Sequence, residues 1–425
     1  MTRDLLMQLR ARSAAVWMAI GNERAVWPLL KNAPDTTLRT RVVHGLSPLV
    51  ADPEAILNQV DDQPDVSTRR AMLLLAGQLL GDPADQPDTR AGLPPSALSP
   101  ETIQWLVERY RDDPDPGVHA AAEWTLRRLV QGDQIARCDR DLVSSEPRGD
   151  RLWYVNRQGH TMVVVPGPAQ FLMGAADGGR LAEAGPPPHY ERIRRSFSIA
   201  STETTIGQFS RFLDDNPRVR RRPNHPTGSS SQMPQTPVTW YEAAAYCNWL
   251  SKSENLPPEE WCYLPNESGQ YAAGMTRAAN YLERRGYRLP TEPEWEYACR
   301  AGATTAYFFG SDASYLEYYG AFAGTSKGQP QPAGTTKPND FGLFDTHGNA
   351  AEWCQDRAAS NYQHDSDSAS VRSSDQLVVT DADRHVLRGG SFADRAAQVQ
   401  CATTTAEHPA ARRESAGFRV ARSYP

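Results

Sequence analysis

Long apolar runs are missing from this chain. No stretch of about 20 apolar residues exists to form a membrane-spanning helix. Met1 to Gly21 carries Arg3, Arg10 and Arg12 without a continuous apolar core, so it does not read as a signal peptide. The cytoplasm is the expected compartment, with no membrane partner. An excess of positive charge is missing too: 45 Lys and Arg against 51 Asp and Glu leave a formal net charge of −6. There is no global basic footprint for nucleic acid, and no such partner is expected. The six cysteines (138, 247, 262, 299, 354 and 401) include no CxxC pair and no zinc spacing, so they read as buried free thiols. The nine histidines include no HxxH or HxxxH pair. Nucleophile elbow, phosphate loop and kinase signature are all absent.

What is present is proline and glycine, 33 and 30 residues in a chain that is 39% hydrophobic. That balance describes a loop-rich globular protein, and 425 residues give room for two or three domains. The first 140 residues repeat a pattern. Pro34-Asp35, Pro64-Asp65 and Pro114-Asp115 each precede an apolar helical run, and each Asp is placed to cap the helix that follows. Before each lies another amphipathic run: Val26 to Leu30, Ala55 to Leu57 and Ile103 to Val107. Gly81 to Pro100 reads as a Pro/Gly/Asp-rich insertion. Helix, Pro-Asp turn, helix, three times over, resembles HEAT-type α-solenoid repeats. Such repeats serve as a docking surface for a protein partner or as a helical cap on the next domain, and periodicity alone does not choose.

Residues 138–151 read as a polar linker. Beyond it, Thr161 to Val165 and Phe171 to Gly174 flank Pro166-Gly167-Pro168 and read as a hairpin. Ser196 to Ala200 reads as an alternating strand. Thr205 to Leu213 and Trp240 to Ser251 read as helices, the second capped by Thr239. Asp214 to Thr236 is basic and proline-rich and reads as an exposed loop.

Seven blocks then occur in order. They are Phe171-Leu172-Met173-Gly174, Ser201 to Thr205, Pro237 to Cys247, Tyr287 to Ala298, Pro338 to Asp345, His347 to Trp353, and the pair of anchors Arg388-Gly389-Gly390-Ser391 and Gly417-Phe418-Arg419. Together they resemble the formylglycine-generating enzyme, or sulfatase-modifying-factor, family. The resemblance implies an α+β, decorated C-type-lectin-like fold preceded by a small all-α HEAT-like domain. The expected divisions are 1–137 (helical repeats), 138–151 (linker) and 152–425 (lectin-like domain). Within it Thr291 is expected to cap the helix Glu292 to Arg300.

The family oxidises a substrate cysteine to formylglycine, using copper held by two thiolates between the two anchors. Here Asp394 and Val399 stand at those positions. Cys401 lies two residues past the second, which on a strand is a displacement of about 6–7 Å, and the pattern gives it no partner. Copper is therefore not expected. A branch using non-haem iron needs a histidine triad from an N-terminal bundle, and only His44 and His119 are on offer there. The resemblance also implies a structural calcium ion held by Asp345, Gly348, Ala350 and Glu352; hard oxygen donors in a glycine-containing loop suit it. Residues 393–416 are small and polar between intact anchors, as in the variable regions of lectin-fold proteins diversified by retroelements. Asp394, Arg395, Gln398, Gln400, Thr403, Thr405, Glu407 and His408 are the expected ligand-binding face, since small polar side chains hydrogen-bond adaptably. The expected function is a non-catalytic module that binds a protein or surface ligand there, with a further protein partner on the repeats. The alternative is a copper-dependent oxidase with divergent ligands.

Overall fold

The computed structural model describes residues 3–47, 51–81, 98–144, 146–175, 185–217, 219, 230–358 and 377–424. Most of the expected insertion at 81–100, and residues 218 and 220–229 of the basic loop at 214–236, lie outside them. The chain forms two compact units. The first comprises 1–154, 300–319 and 334–344, and the second 155–299, 320–333 and 345–425.

The first unit is helical: α1 (Arg3–Ala19), α2 (Thr37–Gly45), α3 (Pro53–Leu57), α4 (Val66–Leu79), α5 (Pro100–Asp112), α6 (Pro116–Arg128) and α7 (Gly132–Leu142). The Pro-Asp signals work locally as expected. Asp65 accepts from Thr68 N at 2.9 Å and Asp115 from Val118 N at 2.8 Å, each satisfying an otherwise orphaned N–H at a helix start. At α2 the cap position falls to Thr36, and Asp35 accepts from Thr37 N at 3.1 Å. The second and third pairs are tied by charge: Arg70 of α4 reaches Asp115 at 2.6 Å. Three connected helical pairs result, although the first member of the first pair is a 3-10 turn, Trp27–Leu30, with Pro28 in it. The expected linker is corrected here. Its first five residues complete α7, whose Ile135, Cys138 and Leu142 are buried at helical spacing. The helical unit also takes in two stretches from the second half of the chain, which no periodicity in the first 140 residues announces.

The second unit is mixed. After β1 (Trp153–Val155) come β2 (Thr161–Val165), β3 (Ala169–Met173), β4 (His189–Ile193), β5 (Phe197–Ala200), α8 (Ile206–Asp215) and α9 (Trp240–Ser253). Then follow β6 (Tyr263–Leu264), β7 (Thr276–Arg277), β8 (Tyr287–Arg288), α10 (Glu292–Arg300), β9 (Ala351–Arg357), β10 (His385–Arg388), β11 (Thr404–Glu407), β12 (Ala416–Gly417) and β13 (Ala421–Ser423). One sheet has the order β1-β2-β5-β13-β8 and another β11-β10-β9-β12. The expected hairpin is corrected: β2 pairs with β5, and β3 pairs with β4. Gly167, between β2 and β3, lies so close to the Arg195 backbone that a Cβ would meet it at 2.4 Å. β5 does not alternate. All four of its residues are buried because it runs between β2 and β13 with both faces covered.

Helix starts follow the sequence closely. Thr205 and Thr239 each form a reciprocal capping box, with Gln208 and Glu242. Thr291 does the same for α10: its Oγ1 accepts from Glu294 N at 3.3 Å, and its own N–H donates to Glu294 Oε2 at 2.9 Å.

Candidate functional site

The site is built around β10 and α10. Arg388 ends β10 with no solvent exposure. Its guanidinium donates to the carbonyls of Cys401 (2.9 Å), Ala402 (2.9 Å) and Thr403 (3.1 Å), and pairs with the carboxylate of Glu296 on α10. Glu292 is 3.5 Å away, and the Trp295 ring centroid lies 5.3 Å from the guanidinium carbon. Burial works against the charge, but Glu296 and Glu292 outweigh it and hold Arg388 above its ordinary value. Gly390 then lets the chain turn. It sits at φ +64°, and a Cβ there would meet Gln398 O at 2.5 Å. His347 Nδ1 donates to the carbonyl of Val399 at 2.7 Å. The segment 399–403 is thus gripped by its backbone from two sides.

β11 continues that segment and pairs with β10 at the edge of its sheet, Thr405 opposite Leu387 and Glu407 opposite His385. Of the expected face, Arg395, Thr405 and His408 are exposed, and Asp394, Gln398, Gln400 and Glu407 are half-buried. Thr405 and Glu407 share one side of β11, as residues two apart on a strand must. Several of these side chains are also committed to local turns. Asp394 Oδ2 accepts from Ser391 N (2.9 Å) and Oγ (2.7 Å), Gln398 Oε1 accepts from Arg395 N (3.1 Å), and His408 Nδ1 donates to Asp381 O (3.0 Å). Thr403 is a correction. It is 5% exposed, its Oγ1 donates inward to Ala397 O at 3.4 Å, and Arg388 draws its carbonyl into the core, so it does not belong to an outer face.

Both positions where the family carries thiols are in structural use: Asp394 closes the turn at Ser391, and Val399 is completely buried. The loop expected to hold calcium is strongly bent, with Asp345, Gly348 and Asn349 all at positive φ. Its Glu352, however, is consumed. Arg419 Nε donates to Oε2 at 2.5 Å, a second Arg419 nitrogen donates to Oε1 at 2.6 Å, and Trp295 Nε1 donates to Oε2 at 2.6 Å. A dication there would have to displace a guanidinium that already neutralises the carboxylate. With Glu352 so engaged, the residues present do not fit calcium. Beside this pair sits Glu203, fully buried, accepting from Ala350 N (3.1 Å) and Asn349 Nδ2 (3.3 Å). Burial, then repulsion from Asp345 and Glu352, push its carboxyl well above the usual range.

The cysteine expectation is also corrected. Cys401 does have a partner: its Sγ lies 3.6 Å from Sγ of Cys299 in the last turn of α10. With His347 these form a group whose donor atoms all lie within 4.8 Å of one another, and all three residues have no exposure. No motif announced it, because 299, 347 and 401 are far apart in the chain; only the convergence of α10, the 345–349 loop and the 399–403 segment brings them together.

The helical unit holds a second group that the sequence did not signal. Lys337, 1% exposed, lies 4.8 Å from the Trp124 ring, 4.7 Å from Tyr318 and 5.4 Å from Tyr319, and donates to Gln78 Oε1. Burial and then Arg128 hold its ammonium well below its usual value. The rings and the amide account for it as a packed side chain.

A mixed fold with a lectin-like edge sheet, pinned by buried arginines, defines the class. Residues 154–424 match the family described as the sulfatase-modifying factor enzyme 1-like domain, and the chain belongs to that family. It is 28% identical over 287 residues to the formylglycine-generating enzyme of Thermomonospora curvata, covering 61% of this chain and 92% of that protein. It is 26% identical over 310 residues to the inactive C-alpha-formylglycine-generating enzyme 2 of Mus musculus, covering 64% of this chain and 89% of that protein. Among solved structures it is similar to Treponema denticola variable protein 1, at 26% identity and a TM-score of 0.49, covering 64% of this chain and 98% of that chain. The chain spans 61% and 38% of the lengths of the first two curated relatives it matches.

Proposed function

We propose that this chain is a non-catalytic recognition module that binds a protein or surface ligand through residues 393–416. One observation carries the reading: both thiol positions of the family are filled by residues the fold itself uses, a turn-forming Asp394 and a buried Val399. The mouse relative described as inactive is a second member similar to this chain over most of its own length. The ligand side is the outer edge of β11 with the turns on either side of it. Arg395, Thr405 and His408 offer exposed polar groups there, and Gln400 and Glu407 offer half-buried ones. The oxidase alternative needs thiols open to substrate, and Cys299 and Cys401 have no exposure. In this reading residues 393–416 are a diversified region, and the helical repeats dock a further protein.

Turnover is the first thing to measure. Incubated with copper, oxygen and a cysteine-containing peptide, the full chain is expected to give no aldehyde and no oxygen uptake above buffer. Turnover would overturn the reading. On arrays of displayed peptides and glycans, hits that survive Arg395→Ala with Gln400→Ala would remove the proposed face. DNA flanking the gene is expected to carry a near-copy of codons 388–425 whose mismatches fall at template adenines. Without one, the face is fixed and not diversified.

A further inference from the structure

We infer that Cys299, Cys401 and His347 form a closed site for one thiophilic d10 cation, Zn(II) or Cu(I), which ties the 399–403 segment to α10 and to the 345–349 loop. The inference stands apart from the recognition reading. It uses neither of the family's thiol positions and nothing on the outer face.

The geometry carries it. Two thiolates bound to one ion at about 2.3 Å, near the tetrahedral angle, stand about 3.8 Å apart. The two sulfurs here are 3.6 Å apart. A disulfide would need about 2.05 Å; the two free thiols are in contact without a bond, at a separation that also accommodates a bridging ion. The imidazole is set for the same task. A backbone carbonyl only accepts, so Nδ1 of His347 must carry the proton it gives to Val399 O at 2.7 Å. In a neutral ring that fixes the tautomer, and a ligating histidine is commonly oriented by such a hydrogen bond from its other nitrogen. All three donors lie within 4.8 Å of one another.

The charge and the surroundings agree. Two thiolates with Zn(II) sum to zero, which a buried site tolerates; with Cu(I) they leave one negative charge, and Arg388 donates to the carbonyl of Cys401 at 2.9 Å. Thiolate and imidazole donors select these ions over Mg(II) or Ca(II). Three protein donors satisfy Cu(I). Zn(II) takes a fourth, and the carbonyl of Thr346, 3.9 Å from Cys299 Sγ, is the group at hand. Because none of the three residues is exposed, the ion enters as the chain folds, and its binding energy becomes folding energy.

The test uses the full chain, isolated without oxygen from cells supplied with both metals, and refolded with each. Elemental analysis is expected to find about one ion per chain. Capture by a Cu(I)-specific chelator against a zinc-specific dye tells the two ions apart. Refolding with Co(II) is expected to produce thiolate-to-cobalt charge-transfer absorption. Cys299→Ala with Cys401→Ala is expected to lose the ion and that absorption, and His347→Gln to weaken the affinity about 10- to 100-fold or more. Should those variants fail to fold, the wild-type stoichiometry and the cobalt spectrum still decide. Wild-type protein refolding without a stoichiometric ion refutes the inference. So does metal retained by the double alanine variant, or a Cys299–Cys401 disulfide in protein whose thiols were blocked at lysis.

Discussion

Arg388→Met isolates what the buried guanidinium does. The methionine keeps much of the apolar volume and removes the cation. Glu296, also without exposure, is left as a buried carboxylate stripped of that cation, and breaking such a pair from one side costs about 3–5 kcal/mol. The carbonyls of Cys401, Ala402 and Thr403 lose their donor as well, so the upper part of that range is expected. At about 1.4 kcal/mol per decade, the folding equilibrium shifts by about two to three and a half powers of ten. Any buried ion pair would give a loss of this size, so a control is needed. Arg288→Met removes an equally buried guanidinium held bidentately by Glu294 at 2.6 and 2.7 Å, away from the 399–407 segment. Urea denaturation is expected to show similar losses for the two variants. Amide exchange under native conditions is expected to separate them. Thr404 to Glu407 should exchange faster in Arg388→Met than in Arg288→Met, because only the first loosens the grip on the strand that follows. A loss below about 1 kcal/mol, or equal exchange in the two variants, refutes the account.

Two further outcomes follow from charge. Glu203 holds its proton more tightly folded than unfolded, where its value is 4.5, so its contribution to stability is full below that value and is lost as pH rises through the folded value. The urea midpoint of the wild type is expected to fall as pH rises above 4.5, and to fall less in Glu203→Gln; an identical fall in both removes Glu203 as the cause. Asp65 is the opposite case. Burial alone would raise it, but hydrogen bonds from Ser67 and Thr68 win and hold it at about 2, below its ordinary value of 3.8. Its contribution is therefore present above 3.8 and lost as pH falls toward 2. Asp65→Ala should cost about 0.5–2 kcal/mol at neutral pH and progressively less in acid, and a cost that does not change with pH would contradict the cap.

The legible parts of this chain were those governed by near neighbours. Asp65, Asp115, Thr239 and Thr291 each satisfy helix N–H groups within a few residues, so sequence alone places them. The seven family blocks were legible for a related reason: each is short and local, and their order defines the scaffold. What was not legible depends on distant segments meeting. Ser201 to Thr205 could be read as a family block, but nothing in it says that Glu203 accepts from Ala350 N, 147 residues on. Glu352 looked like a ligand until Arg419, 67 residues on, took both its oxygens. Cys401 looked solitary because Cys299 approaches it from α10, 102 residues earlier in the chain. Thr403 has the same composition signal as Thr405, but Arg388 takes its carbonyl and Ala397 O takes its hydroxyl.

The hold that Arg388 and His347 exert is on oxygen atoms of the main chain, at Val399, Cys401, Ala402 and Thr403. Every amino acid supplies that oxygen. Much of the hold on this stretch therefore comes from residues outside it and does not depend on the side chains at 400 and 405. Such a surface can be rewritten many times over one unaltered chassis, with new chemistry on display and the foundations untouched.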